Sequence, residues 1–322
     1  MAIADLPQHA PLATQSRGDL VESIHYGSLI ALGPDGDTVL SRGEPTALFY
    51  PRSALKPLMA VAMLRAGVEL SDEQLALAAA SHSGAQQHQD IASSTLAAAG
   101  LHPSTLRNST DLPYGLNERA AWLEAGHGPT QLAQNCSGKH AAMLATCVVN
   151  GWPVESYLDH NHPLPVLIRE AVSELTGETL NTISTDGCGT EVFGLTLTGM
   201  ARAFGRLVSA EPGTAEHRVA GAMRAYPELV AGEGRDVTAI MRAVPGLLAK
   251  DGFEGIQMLA LDSGAAIALK ISDGGDRARM PAAVPALLAL GVDASDLDAF
   301  NNLAVFGGGN PVGVLRGLSL FA

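Results

Sequence analysis

Strand-like runs stand at both ends of the chain and helical patterns fill the middle, and this arrangement limits the fold more than any other feature. Near the start, SLIALGPDGDTVLSRG places an apolar run, a Pro-Asp-Gly turn and a second β-rich run in succession, which predicts a hairpin. Near the end, FEGIQMLALDSGAAIALKISDG repeats the pattern around Asp262, Ser263 and Gly264. Between them, helices are predicted from Lys56 towards Gly67, from a Ser71 cap to near Ser81, over 88–100, 137–151, 163–176 and 190–208, with another near 280–291. The stretch 102–134, with Pro103, Pro113 and Pro129, reads as loop. The expected fold is therefore α/β: an antiparallel sheet built from both termini and covered by a helical region. Residues 1–19 read as a polar leader and 20–322 as one domain.

Composition narrows the function. The apolar share of 47% supplies a large core, yet no run approaches the ~18 uninterrupted apolar residues of a membrane span. The start lacks a basic stretch followed by an apolar one, so a cytoplasmic protein is expected. Three cysteines, at 136, 147 and 188, suit reduced thiols or metal ligands better than a disulfide framework. A net charge of −13 repels nucleic acid and anionic membranes, which favours a small polar substrate.

Only four lysines stand beside sixteen arginines, so each lysine draws attention. A site that needs a neutral amine cannot accept arginine. In RSALKP, Ser53 and Lys56 lie one helical turn apart, where an amine with a lowered pKa can take the proton of a hydroxyl. In SHSG, Ser81 or Ser83 offers a second hydroxyl, and the same tetrapeptide also reads as a helix end closed by Gly84. In NCSGKHAAM, Cys136 and Lys139 face one way from a helix start, while STDGCG brings Cys188 with Asp186 beside it. Two distant thiols suit a metal site or a redox pair, but by themselves they read first as two buried small side chains near glycine turns. In AKDGFEGIQ, Lys250, Gly252 and Gly255 enter a strand that either presents backbone groups to a bound amide or is only a turn.

Taken together and in order, VESIHYGSL, RSALKP, ASHSG, NCSGKHAAM, DHNHPL, TDGCG, AKDGFEG and ALKISDGGDRAR resemble the asparaginase II family, the class 3 or Rhizobium-type L-asparaginases, over roughly 20–320. The resemblance implies a fold like that of serine-dependent glutaminases and serine β-lactamases, and hydrolysis of L-asparagine to L-aspartate and ammonia. Ser53 and Lys56 match the family's Ser-x-x-Lys pair, Ser81 the start of its Ser-His-Ser/Asn-Gly stretch, and Arg52 the arginine before the nucleophile. Cys136, Lys139 and Cys188 match its zinc-binding set, with Asp186 beside them. Ser83 and Gly252 join Arg52 and Asp186 as expected substrate contacts. A homodimer acting on a small molecule completes the expectation.

The chain departs from the family pattern at Thr190 and Glu191, where a small residue and proline are usual, and at Ala85, where an acidic residue is usual. Other substrates for the same chemistry are glutamine, a β-lactam or a peptide, although no clear Lys-Thr-Gly strand motif favours penicillin recognition. A non-catalytic, metal-dependent amide-binding protein is the alternative from another class.

Overall fold

The computed structural model describes residues 6–319. The chain forms two compact units: Leu55–Gly194 with Ala210–Ala239, and Met1–Ala54 with Leu195–Ser209 and Ile240–Ala322. Among the described residues no helix is long and apolar enough to cross a membrane.

The unit built on Leu55–Gly194 is mainly helical, with α1 (Lys56–Arg65), α2 (Asp72–Ala78), α3 (Gln86–Ala98), α4 (Leu116–Glu124), α5 (Ser137–Val149) and α6 (Pro163–Thr176). Ser71 caps α2 as its sequence predicts, with the reciprocal bond from Gln74 completing a capping box. The helix ends at Ala78, earlier than expected, and leaves 80–85 without regular structure. Pro163 opens α6 and Gly177, at φ 70°, closes it. The core of the unit is α5, buried from Ser137 to Cys147 and packed on α2 and α3. Its close approach to α2 requires Gly138, because a Cβ there would stand 2.4 Å from Leu77 Cγ. The helix α4 lies within the stretch read as loop; none of its residues is buried, so it carries no apolar stripe for a sequence pattern to reveal.

The other unit holds the sheet. Its strands are β1 (Ala10–Arg17), β2 (Leu20–Leu32), β3 (Thr38–Arg42), β4 (Leu248–Gly252), β5 (Ile256–Ala260), β6 (Ala266–Ile271), β7 (Asn302–Gly307) and β8 (Asn310–Gly317). They lie in the order β7, β8, β1, β2, β6, β5, β4, with β3 also paired to β2 and every pairing antiparallel. Both expected hairpins are present, and Ala13 pairs with Gly317, so strands from the two termini meet. The stretch read as a polar leader supplies β1, whose Leu12 and Ala13 are buried.

Every position of β4 and β5 is buried, so both faces of this part of the sheet are covered. One cover is α7 (Leu197–Val208), which buries Leu197, Met200, Ala201, Phe204, Leu207 and Val208 against β2, β5 and β6. Sequence spacing predicted a single helix over 190–208. Instead Glu191–Phe193 pairs as a strand with Ile183–Thr185, and α7 begins only after Thr196, whose hydroxyl accepts from Gly199 N at 2.9 Å. The aromatic and β-branched Val192 and Phe193 favour strand there, and Gly194 breaks the run.

Candidate active site

Ser53 lies in a 3₁₀ turn, Arg52–Leu55, that leads directly into α1, with Pro57 fixing the first turn of the helix. Before it, Arg52 holds a left-handed backbone at φ 52°, an unfavourable state for a residue with a side chain. Its guanidinium stacks over the Phe253 ring at 5.4 Å. The end of β4 abuts the same turn, since a Cβ on Gly252 would meet Pro51 O at 2.3 Å; only glycine fits. The arginine, serine and glycine named from sequence are thus neighbours in one unit. Ser53 is half-buried, and its hydroxyl has no hydrogen-bond partner among the described residues.

Sequence spacing placed the Lys56 amine on the Ser53 hydroxyl. The structure directs its hydrogen bonds elsewhere. Lys56 is 1% exposed, and Nζ donates to Ala80 O at 2.5 Å, to Ser81 Oγ at 3.2 Å and to Asn135 O at 3.4 Å. This buried amine therefore links α1 to the Ser81 stretch and to the approach of α5. Ser83 is also buried, and its hydroxyl donates to Glu118 Oε1 at 2.8 Å.

Between the two serines, His82 points into the unit. Its Nε2 lies 2.9 Å from Ser137 Oγ at the start of α5, and its ring stacks on His88 with centroids 5.0 Å apart. Burial, then the charges of His88 and Lys56, pushes His82 well below the usual imidazole range. Burial lowers His88 as well, against opposing effects of the Glu228 carbonyl and of the Glu118 and Glu228 carboxylates. In the unfolded chain both rings titrate near ~6.5. The unfolded state then binds protons that the folded state refuses, so this contribution to stability is intact above that pH and is lost as pH falls toward the depressed folded values. Urea midpoints should drop between pH 7 and 5.5, with a slope of up to about 1.4 kcal/mol per pH unit for each ring. His88→Asn should flatten that slope, and an equally steep profile in the variant would remove the ring from the account.

Cys136 stands at the N-cap position of α5, and the same helix carries Lys139 and His140 into the core. Lys139 Nζ stands 3.1 Å from Cys188 Sγ and 2.7 Å from Thr190 Oγ1, and Thr190 Oγ1 is 3.3 Å from Cys188 Sγ. The departure from the family pattern at position 190 thus supplies a hydroxyl that holds the lysine. Glu191 pairs with Arg169 at 2.7 Å and with His160, away from the thiols. The Cys136 thiol donates to Asn135 Oδ1 at 3.2 Å; the neighbouring Cys188, then burial, pushes Cys136 well above the ordinary thiol range, while Cys136 and the Lys139 charge hold Cys188 well below it. Burial alone would lower Lys139, but the Cys188, Cys136 and Asp186 charges raise it.

Among the described residues no three histidine, cysteine or carboxylate side chains gather as a metal group. A three-donor site here must include the Lys139 amine with both thiols. That set fits a thiophilic ion: the Lys139 amine contacts the Cys188 sulfur at 3.1 Å, and the ring of His140, next in the same helix, keeps a buried Nε2 without a hydrogen-bond partner. Asp186 is half-exposed at the rim, its carboxylate accepting from Gly187 N at 2.8 Å.

One feature the sequence reading left undecided is Lys250, which is fully buried in β4 and bonded to the Asp251 carboxylate at 2.6 Å. Its rarity and its place two residues before Gly252 were the available signals.

Among solved structures, a β-lactamase from Mycobacterium bovis matches with 16% identity, 78% of this chain and 88% of that chain covered, at a TM-score of 0.42. EstCE1, a hydrolase with promiscuous acyltransferase activity, matches with 12% identity, 82% and 93% covered, at a TM-score of 0.43. No curated protein matches the chain. The family model for L-asparaginase II matches residues 13–317, nearly the whole length over which the motifs, the buried Lys56 and the paired thiols occur, and the chain belongs to that family of amidohydrolases.

Proposed function

We propose that the protein hydrolyses L-asparagine to L-aspartate and ammonia, with Ser53 as nucleophile and Lys56 and Ser81 as the proton-handling pair. The observation that carries this reading is the Lys56 amine, removed from solvent and 3.2 Å from Ser81 Oγ, three residues after a serine in a strained turn. Ser53 Oγ attacks the carboxamide carbon, its proton passes to the Lys56–Ser81 pair, and that pair returns a proton to the departing ammonia. Water then releases aspartate from the acyl-serine. Arg52, Gly252, Ser83 and Asp186 are the proposed substrate contacts. An ammonia-release assay with asparagine, glutamine and a β-lactam tests the reading: asparagine should be the preferred substrate, and release from only glutamine or the β-lactam would overturn the choice of substrate.

Zinc belongs to the same proposal, held by Cys136, Lys139 and Cys188. When bound, it would supply a Lewis acid that orients the substrate, while the serine, lysine and backbone N–H groups break the bond. Purified protein should contain about one zinc per chain. Elemental analysis of Cys136→Ala and Cys188→Ala should find most of it gone, and equal zinc in all three proteins would refute the site. The buried, reduced cysteines support a cytoplasmic setting. Exposed Leu20, Val21, Ile24 and Tyr26 along β2 support a homodimer, which the mass in solution tests.

A further inference from the structure

The Ser81–Ser83 stretch brings a carboxylate beside the amine–hydroxyl pair. Ser81 Oγ meets Lys56 Nζ, and two residues on, Ser83 Oγ holds Glu118 Oε1 at 2.8 Å. Two residues of chain span at most ~7 Å. The Glu118 carboxylate is therefore anchored to the same short backbone stretch that carries the Lys56–Ser81 pair.

Glu118 is half-exposed and forms no ion pair among the described residues. Nearby cations are engaged elsewhere: Arg119 Nε donates to Pro113 O at 2.9 Å, and the Arg235 guanidinium stacks on Tyr114 at 4.7 Å. His88 feels the Glu118 charge but is held neutral by burial. The first turn of α4 gives the carboxylate a favourable dipole. That effect is modest and leaves room for a cation. The helix itself buries nothing, so packing alone gives no reason for a fixed acidic side chain at this point.

We propose that Glu118 receives the α-ammonium group of the amino-acid amide and so determines the preference for α-amino substrates over amides that lack the amine. This assignment rests on the asparaginase reading above. A charge-assisted hydrogen bond between carboxylate and ammonium is directional and stronger than a neutral one. Its loss affects only substrates that carry the ammonium. A purely structural role for Glu118 would alter turnover of all amides alike.

The test compares kcat/KM for L-asparagine with that for succinamic acid, the same amide without the α-amine, in wild type, Glu118→Gln and Glu118→Asp. Wild type should favour asparagine. Glu118→Gln should lower the asparagine-to-succinamate ratio by about tenfold to a hundredfold, chiefly through KM for asparagine, as expected for a lost bond between charged groups. Glu118→Asp should recover part of the ratio. An active wild type whose ratio is unchanged by Glu118→Gln overturns the assignment and leaves the asparaginase reading intact. A wild type that releases ammonia from neither amide overturns the reading and the assignment with it.

Discussion

Ser53→Ala is expected to lower asparagine hydrolysis by about four to six orders of magnitude, the range seen when a serine nucleophile is removed from a preorganised hydrolytic site. The side chain makes no hydrogen bond among the described residues, so the substitution removes no stabilising contact and thermal stability should hardly change. The alternative nucleophile is Ser81. Its hydroxyl already touches the Lys56 amine, and by that measure it is the better activated of the two. Near wild-type turnover in Ser53→Ala would transfer the nucleophile role to Ser81. Measuring Ser81→Ala in parallel separates the two, since loss of a proton relay costs ~10²–10⁴ and leaves the acyl-serine able to form.

Lys56→Arg should be nearly as damaging as Lys56→Ala, with each lowering kcat at least a thousandfold. Arginine keeps the charge and cannot give up its proton, so it fails as a base. Geometry adds a second reason. The lysine amine is a compact donor set among Ala80 O, Ser81 Oγ and Asn135 O, with 1% exposure, and a planar guanidinium has no space there. Lys56→Met, close in shape and without charge, isolates the chemistry: it should fold, as circular dichroism would report, and remain inactive. Substantial activity in Lys56→Arg would mean that a fixed positive charge is all the site requires.

Local pattern in the sequence was a sound guide wherever structure is set locally. The two hairpins, the Ser71 cap and the span of α6 follow from turn chemistry, capping and apolar periodicity. The failures are where distant parts of the chain decide. Nothing near Glu191–Phe193 announces its partner Ile183–Thr185, and α4 has no buried face to give it a period. The site divides the same way. The residue types were visible, but Lys56 bonds to a serine 25 positions away and Lys139 to a cysteine 49 away. Such pairings are created by the packing of α1, α2 and α5, which spacing along the chain does not encode.

The pairing of Ala13 with Gly317 also has a consequence for biosynthesis. At ribosomal rates of ~5–20 residues per second, β1 emerges about 15–60 s before the strand that covers its outer edge. Until β6 is made, β1 and β2 can pair only with each other and β3, and until β8 follows the growing chain displays an unfinished sheet with an open edge. The helices from α1 to α6 come from one unbroken stretch of chain and have no such wait. Newly made protein should therefore rely on chaperones to shield β1 and β2 until β8 is made.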